Sequence, residues 1–150
     1  TEEAHPLGIV HHISDVTKLA KPERVFDIVV AFHLLHYAKT IDELERMVQV
    51  IAEQLNDSDK AYFLSINMNV RDSEHLVHSD RYPNFRSEAD LPLVDGSEIK
   101  NTHINSDGSS FSFSTYYFSI STYERAFQKA GFKHVEWVPA IVVSDIDRYK

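Results

Sequence analysis

Nine histidines and no cysteine define which side chains of this 150-residue chain could carry chemistry. Two of them, His33 and His36, stand beside Tyr37 at the end of the run Phe26 to Tyr37, which reads F-D-I-V-V-A-F-H-L-L-H-Y. An apolar run of this kind suits a strand covered on both faces, as strands of parallel sheets are. In open α/β sheets ligands bind just beyond the carboxyl ends of the strands, so Ala31, Phe32, His33, His36 and Tyr37 are where a site is expected. An imidazole there could accept or donate a proton near neutral pH. Metal binding is the weaker reading. His75-x-x-His78 has the spacing of one helical face, but neither that pair nor His33 and His36 has a third ligand at a recognisable spacing. His11 and His12, adjacent in a β-prone segment, would point to opposite faces. No metal site is expected.

The elements that must position these groups follow from patterning. Gly8 to Ser14 reads as a short strand that ends at the acidic Asp15, and Thr17 to Arg24 is a polar connection into the Phe26 strand. Thr40-Ile41-Asp42-Glu43 is a capping box. Ile41, Leu44, Met47, Val48, Ile51, Ala52 and Leu55 then make one apolar stripe, so the helix covers a sheet face. Lys60 to Met68 is the next buried strand, and strand, helix, strand in this order predicts a right-handed parallel crossover. From Asn69 to Gly96 no period is sustained, which predicts a lid or else a disordered segment. Ser97 to Ile104 and Phe111 to Ile120 alternate around Asn105-Ser106-Asp107-Gly108, an antiparallel hairpin. Ser121-Thr122-Tyr123-Glu124 is a second capping box, for a helix with the stripe Tyr123, Ala126, Phe127 and Ala130. Gly131 ends that helix. Lys133 to Val143 is a last strand, with Pro139 placing it at an edge or bend. The whole is one α/β domain over residues 1–150, with a lid or insertion at about 69–120.

Composition narrows the function. A formal charge of -8, spread along the chain, opposes nucleic-acid binding, which needs a basic face. No apolar run reaches the roughly 20 residues of a membrane span, and the first residues lack the pattern of a signal peptide. A cytoplasmic protein with no membrane partner is expected. Thr1 in place of an initiator methionine, ahead of what reads as an α/β alternation already under way, points to a piece of something longer.

The series S-D-V-T-K-L-A-K-P, F-D-I-V-V-A-F-H-L-L-H-Y, the capped helix, A-Y-F-L-S-I-N, and Y-Y-F-S-I-S-T-Y-E-R-A-F-Q-K-A-G-F-K-H-V-E-W resembles the later two-thirds of a class I S-adenosylmethionine-dependent methyltransferase. The last segment is similar to the small-molecule branch. The resemblance implies an incomplete Rossmann-like methyltransferase sheet of mostly parallel strands with flanking helices and an inserted hairpin. It implies S-adenosylmethionine as cofactor, with Asp15 on the adenine amino group, Val16 beside the ring, Ala31 and Phe32 along the methionine part, and Tyr37 facing cofactor or substrate. His36 would be the base for a small-molecule acceptor, and Tyr116, Tyr117 and Tyr123 would shape the acceptor site. Two features of the family have no counterpart: the glycine-rich turn after its first strand and the acidic residue after its second. The gap beside Phe26 to Phe32 predicts a fragment, or a homo-oligomer that completes the sheet, and a final strand beyond Lys150 is also missing. The alternative is a noncatalytic methyltransferase-like scaffold or partner subunit.

Overall fold

The computed structural model describes residues 11–67 and 84–138. Its organising element is a parallel pair, β1 (Ile28–Phe32) and β2 (Tyr62–Ile66), in register from Ile28 opposite Tyr62 to Phe32 opposite Ile66. Parallel strands cannot be joined by a tight turn, and the connection is helix α1 (Ile41–Gln54). The helix starts where the sequence predicts. The Thr40 hydroxyl accepts from the Glu43 amide at 3.2 Å, and the Glu43 carboxylate reaches back to the Lys39 amide at 2.8 Å, one residue before the cap. At its far end, the Phe26 amide donates to Gln54 O and the Asn56 amide to Phe26 O. These bonds tie the end of α1 to the entrance of β1, so the start of α1 lies at the carboxyl edge.

A second sheet is antiparallel in the order β3 (Phe85–Glu88), β4 (Glu98–Ile104), β5 (Ser110–Tyr116). The hairpin of β4 and β5 matches the predicted one, with Gly108 at φ 84 in the turn, a conformation that disfavours any side chain. β3 lies within the stretch expected to be an irregular lid. It forms because Phe85 to Glu88 pairs with His103 to Lys100, an alternation too short to register in sequence alone. Residues 69–83 of that expected lid, with the pair His75/His78, lie outside the described residues.

Helix α2 (Ile120–Lys129) follows β5. Its N-cap is Ser119, two residues before the predicted Ser121, and Ser119 Oγ accepts from the Thr122 amide at 3.3 Å. The earlier start has a long-range cause. The Asp95 carboxylate accepts from the Ser119 amide at 2.6 Å and from the Thr122 hydroxyl, placing a negative charge at the positive end of the helix. At the other end Gly131, at φ 92, donates to Gln128 O while the Phe132 amide donates to Phe127 O. This is the paired closure that a left-handed glycine allows.

The core is one-sided. Leu44, Met47, Val48 and Ile51 of α1 and Tyr123, Ala126 and Phe127 of α2 pack on the face of the parallel pair that carries Val29, Ala31 and Phe63. Trp137 covers the rim, edge-on to Tyr123 at 5.9 Å, with its indole N–H donating to Glu124. The opposite face holds Ile28, Val30, Phe32, Tyr62, Leu64 and Ile66, all half-exposed among the described residues. Coverage on both faces, expected from the apolar run, is therefore corrected to coverage on one. Two predicted strands are also corrected. Residues 11–14 are exposed and form no strand, and neither do residues 133–138, because neither segment has a strand beside it to pair with among the described residues. Residues 8–10 and 139–143 of those predictions lie outside the described ones.

The Asp95 contact gives the first test. Burial works against the ionised carboxylate, but the bonds from the Ser119 amide and the Thr122 hydroxyl hold its pKa below the ordinary value. Asp95→Ala removes a cap and should lower stability by about 1 kcal/mol, read as a lower urea midpoint with unchanged slope. Equal midpoints would mean that Ser119 alone suffices to start the helix.

Candidate functional site

The carboxyl edge of the parallel pair gathers the groups the sequence singles out. Ala31 is buried on the helix side of β1, and Phe32 projects from the bare face. His33 then leaves the strand at φ 53, unusual for a residue with a side chain. Its amide still donates to Ile66 O at 2.7 Å, so the sharp turn is fixed to the end of β2. The turn delivers a short 3-10 helix, Leu35–Tyr37, which sinks Leu35 and His36 into the core and leaves Tyr37 partly exposed.

His36 is the central group. It is only 4% exposed, and its buried Nδ1 has no hydrogen-bond partner. The ring lies 5.7 Å from that of His33 and 4.9 Å from that of Tyr37. Burial, and then the nearby His33, lower its pKa to about 4. The imidazole is therefore neutral at physiological pH. With its proton on Nε2, the unpartnered Nδ1 is an acceptor.

Sequence reasoning missed two neighbours at the end of β2, Ser65 within it and Asn67 just after it. Ser65 Oγ donates to Ala31 O at 2.9 Å, and Asn67 Nδ2 donates to Ser65 Oγ at 2.8 Å. That chain leaves Asn67 Oδ1 buried and without a partner. Two unpartnered polar atoms, from His36 and Asn67, thus sit at the carboxyl ends of adjacent parallel strands. Native proteins pair nearly all such atoms, so this edge is the candidate site. The signal was present as S-I-N at the end of the second strand, but only the register of β1 and β2 shows that it adjoins His33.

The remaining predicted residues are more dispersed. Asp15 caps the 3-10 turn Val16–Lys18 beside α1. Its carboxylate accepts from the Thr17 amide at 3.0 Å and the Thr17 hydroxyl at 2.8 Å, and it pairs with Lys18 at 3.0 Å. The Thr17 hydroxyl and then the Lys18 ammonium hold its pKa below the ordinary value. Val16 packs on the core, and Arg46 of α1 anchors the turn by donating to Thr17 O at 3.2 Å. Tyr123 is buried on the core face of α2, and burial with Asp95 nearby pushes its hydroxyl pKa up. Tyr116 packs against the main core, and Tyr117 against Leu93 and Ile99. All three tyrosines take part in packing, while Tyr37 lies at the carboxyl edge. Among the described residues no group of three or more histidine, aspartate or glutamate side chains could hold a metal, and no helix is long and apolar enough to cross a membrane.

No family model matches the chain, and no curated protein matches it in sequence. Solved structures do match. The chain is similar to an S-adenosylmethionine-dependent methyltransferase from Clostridium acetobutylicum, at 14% identity and a TM-score of 0.55, over 79% of this chain and 52% of that one. It is similar also to the sugar N-methyltransferase KedS8 from a Streptoalloteichus species, at 17% identity and a TM-score of 0.53, with the same coverage of 79% and 52%. The chain spans about half the length of these structures. At such identities the likeness shows the fold, a partial Rossmann-like methyltransferase α/β fold, and the resemblance read from the sequence is borne out at that level.

The depressed His36 pKa makes a prediction with a definite sign. Between about 6.5 and about 4 the unfolded chain binds a proton at this residue and the folded chain does not. Its contribution is neutral above that window, and stability falls as pH drops through it, by on the order of 2–3 kcal/mol. Urea unfolding at pH 7.5 and pH 5 should show a smaller loss in His36→Gln than in the wild type. Parallel losses in the two proteins would count against a neutral buried His36.

Proposed function

We propose that this chain carries the carboxyl-edge part of an S-adenosylmethionine-dependent methyltransferase that acts on a small-molecule acceptor. The observation that carries the reading is the pair of buried, unpartnered polar atoms, His36 Nδ1 and Asn67 Oδ1, at the carboxyl ends of two parallel strands. The solved structures of the same fold are methyltransferases by name, which supports the reaction class.

The residues present suit such a cofactor. Asp15 keeps a partly exposed carboxylate able to accept from an exocyclic amine, and Val16 offers apolar surface next to it. Ala31 and Phe32 end β1 at the same edge as Tyr37, and Asn67 Oδ1 is an acceptor for an ammonium or hydroxyl group. When bound, S-adenosylmethionine supplies an electrophilic methyl group. The protein then has to orient the acceptor, exclude water and remove a proton. His36 is the candidate for the last task, because a neutral imidazole with a free nitrogen can take an N–H or O–H proton.

A noncatalytic scaffold or partner subunit is the second reading, favoured by the uncovered sheet face of Ile28, Val30, Phe32, Tyr62, Leu64 and Ile66. An apolar face of this extent suits packing by another polypeptide, such as a second copy of this chain. Calorimetric titration with S-adenosylhomocysteine separates the readings. The methyltransferase reading expects one-to-one binding that Asp15→Ala weakens about tenfold, the worth of one charge-assisted hydrogen bond. Saturable binding unchanged in Asp15→Ala would remove Asp15 from the adenine site. No binding at all would favour the scaffold.

A further inference from the structure

The bare face of the parallel pair has an arrangement that follows from the register. Ile28 lies opposite Tyr62, Val30 opposite Leu64 and Phe32 opposite Ile66. All of these side chains are half-exposed among the described residues, and none carries a charge. The two rings occupy one diagonal of this rectangle and the two isoleucines the other, with Val30 and Leu64 at its centre. That pattern fits itself. A two-fold axis lying between two such faces runs either across the strands or along them. Across them, it sets Phe32 over Ile28 of the second copy and Tyr62 over its Ile66. Along them, it sets Phe32 over Ile66 and Tyr62 over Ile28. Either way each ring meets an isoleucine and not another ring, so the gap between the sheets stays even, as close packing requires.

We propose that this face binds a second copy of this chain, the two parallel pairs stacking face to face about a two-fold axis. An isologous contact needs one patch that is complementary to itself, and the diagonal placement of the rings supplies it. The area is sufficient. About 600 Å² on each copy gives on the order of 1,200 Å² in all, where specific interfaces begin. Two chains of formal charge -8 repel one another, and an uncharged face brings no like charges into contact. Tyr62, at a corner, keeps its hydroxyl in water at the rim. A second partly exposed apolar patch lacks this symmetry. On one face of the antiparallel sheet Phe85, His103, Phe111 and Phe113 form an aromatic row, in which His103 stacks on Phe111 at 5.3 Å, Phe111 on Phe113 at 6.1 Å, and Phe85 lies 6.3 Å from Phe113. That row meets Tyr37 of its own chain, 6.4 Å from Phe113. The pairing goes beyond both readings of function given above, since it holds for a methyltransferase and for a scaffold alike.

The test is sedimentation equilibrium of the full chain over a range of protein concentrations, with no ligand added. A monomer–dimer equilibrium is expected, and it should tighten between about 50 mM and about 0.5 M salt, because salt screens the repulsion between copies and leaves apolar contact intact. Val30→Thr and Leu64→Thr change the centre of the face, where each occurs twice in a two-fold dimer. Both positions are half-exposed in the single chain, and threonine suits a strand, so the fold survives, as thermal unfolding of each variant checks. Each substitution should weaken the dimer at least about tenfold, since it buries a hydroxyl in place of an apolar group on both copies. Phe111→Thr, in the aromatic row, should leave the dimer unchanged. A monomer at every concentration would overturn the proposal, whether the chain covers the face itself or a different polypeptide does. So would a dimer that salt weakens, or one indifferent to both central substitutions, as a dimer joined through strand edges would be. The mass is read without cofactor, so its result and that of the S-adenosylhomocysteine titration stand or fall separately.

Discussion

Parallel pairing of β1 with β2 is the constraint from which the rest of the structure follows. A parallel pair has to be joined by a chain that travels the full length of the sheet and back, and α1 makes that return journey. The five in-register pairs from Ile28 opposite Tyr62 to Phe32 opposite Ile66 fix both carboxyl ends at one edge. The bonds from the Phe26 and Asn56 amides pin the end of α1 to the opposite edge. Polar residues that follow β1 and β2 are thereby forced together, although His36 and Asn67 are far apart in sequence. The positive φ of His33 and its bond to Ile66 O turn that edge into a fixed bend rather than a loose loop.

The same pairing divides the sheet into two unlike faces. Because side chains alternate, Val29, Ala31 and Phe63 take the two helices while Ile28, Val30, Phe32, Tyr62, Leu64 and Ile66 point the other way. Side chains of this size, each half-exposed, leave on the order of 600 Å² of surface, the upper end of what a lone soluble domain shows. At about 25 cal/mol per Å², covering that face is worth on the order of 15 kcal/mol before ordering costs. A surface of that worth is comparable to the whole stability of a domain, so the energetics of this fold cannot be separated from what lies on its bare face.

Much of the local architecture was legible because it is written within a few residues. The Thr40 and Glu43 capping box, the stripe of α1, the turn around Gly108 and the glycine closure at Gly131 all use partners three to five residues away. What escaped depends on distant partners. β3 exists because Ser87 and Arg86 find Asn101 and Thr102, and the start of α2 moves to Ser119 because Asp95 accepts from it across an intervening hairpin. The site follows the same division. The run ending in His33 and His36 leads to the carboxyl edge, yet the burial of His36 comes from packing of its 3-10 turn against α1 and β5. The aromatic row needs the joint register of three strands, which alternation within any one of them does not contain.

That register has its own safeguard. On the face that bears the aromatic row, the centre of the sheet is polar and buried: Ser87 Oγ donates to Asn101 Oδ1 at 2.7 Å, and Asn101 Nδ2 donates to Thr115 Oγ1 at 2.9 Å. One asparagine thus bridges β3, β4 and β5, with its remaining N–H on Ile99 O at 3.1 Å. A slip of one residue would turn every side chain to the opposite face. An apolar centre would tolerate a slipped strand that still offered apolar groups, whereas Asn101 would be left buried with its bonds broken, at several times the loss of one exposed hydrogen bond. Satisfied polar networks of this kind favour one arrangement over its near alternatives. Here the arrangement they favour is the one that aligns Phe85, His103, Phe111 and Phe113 over Tyr37.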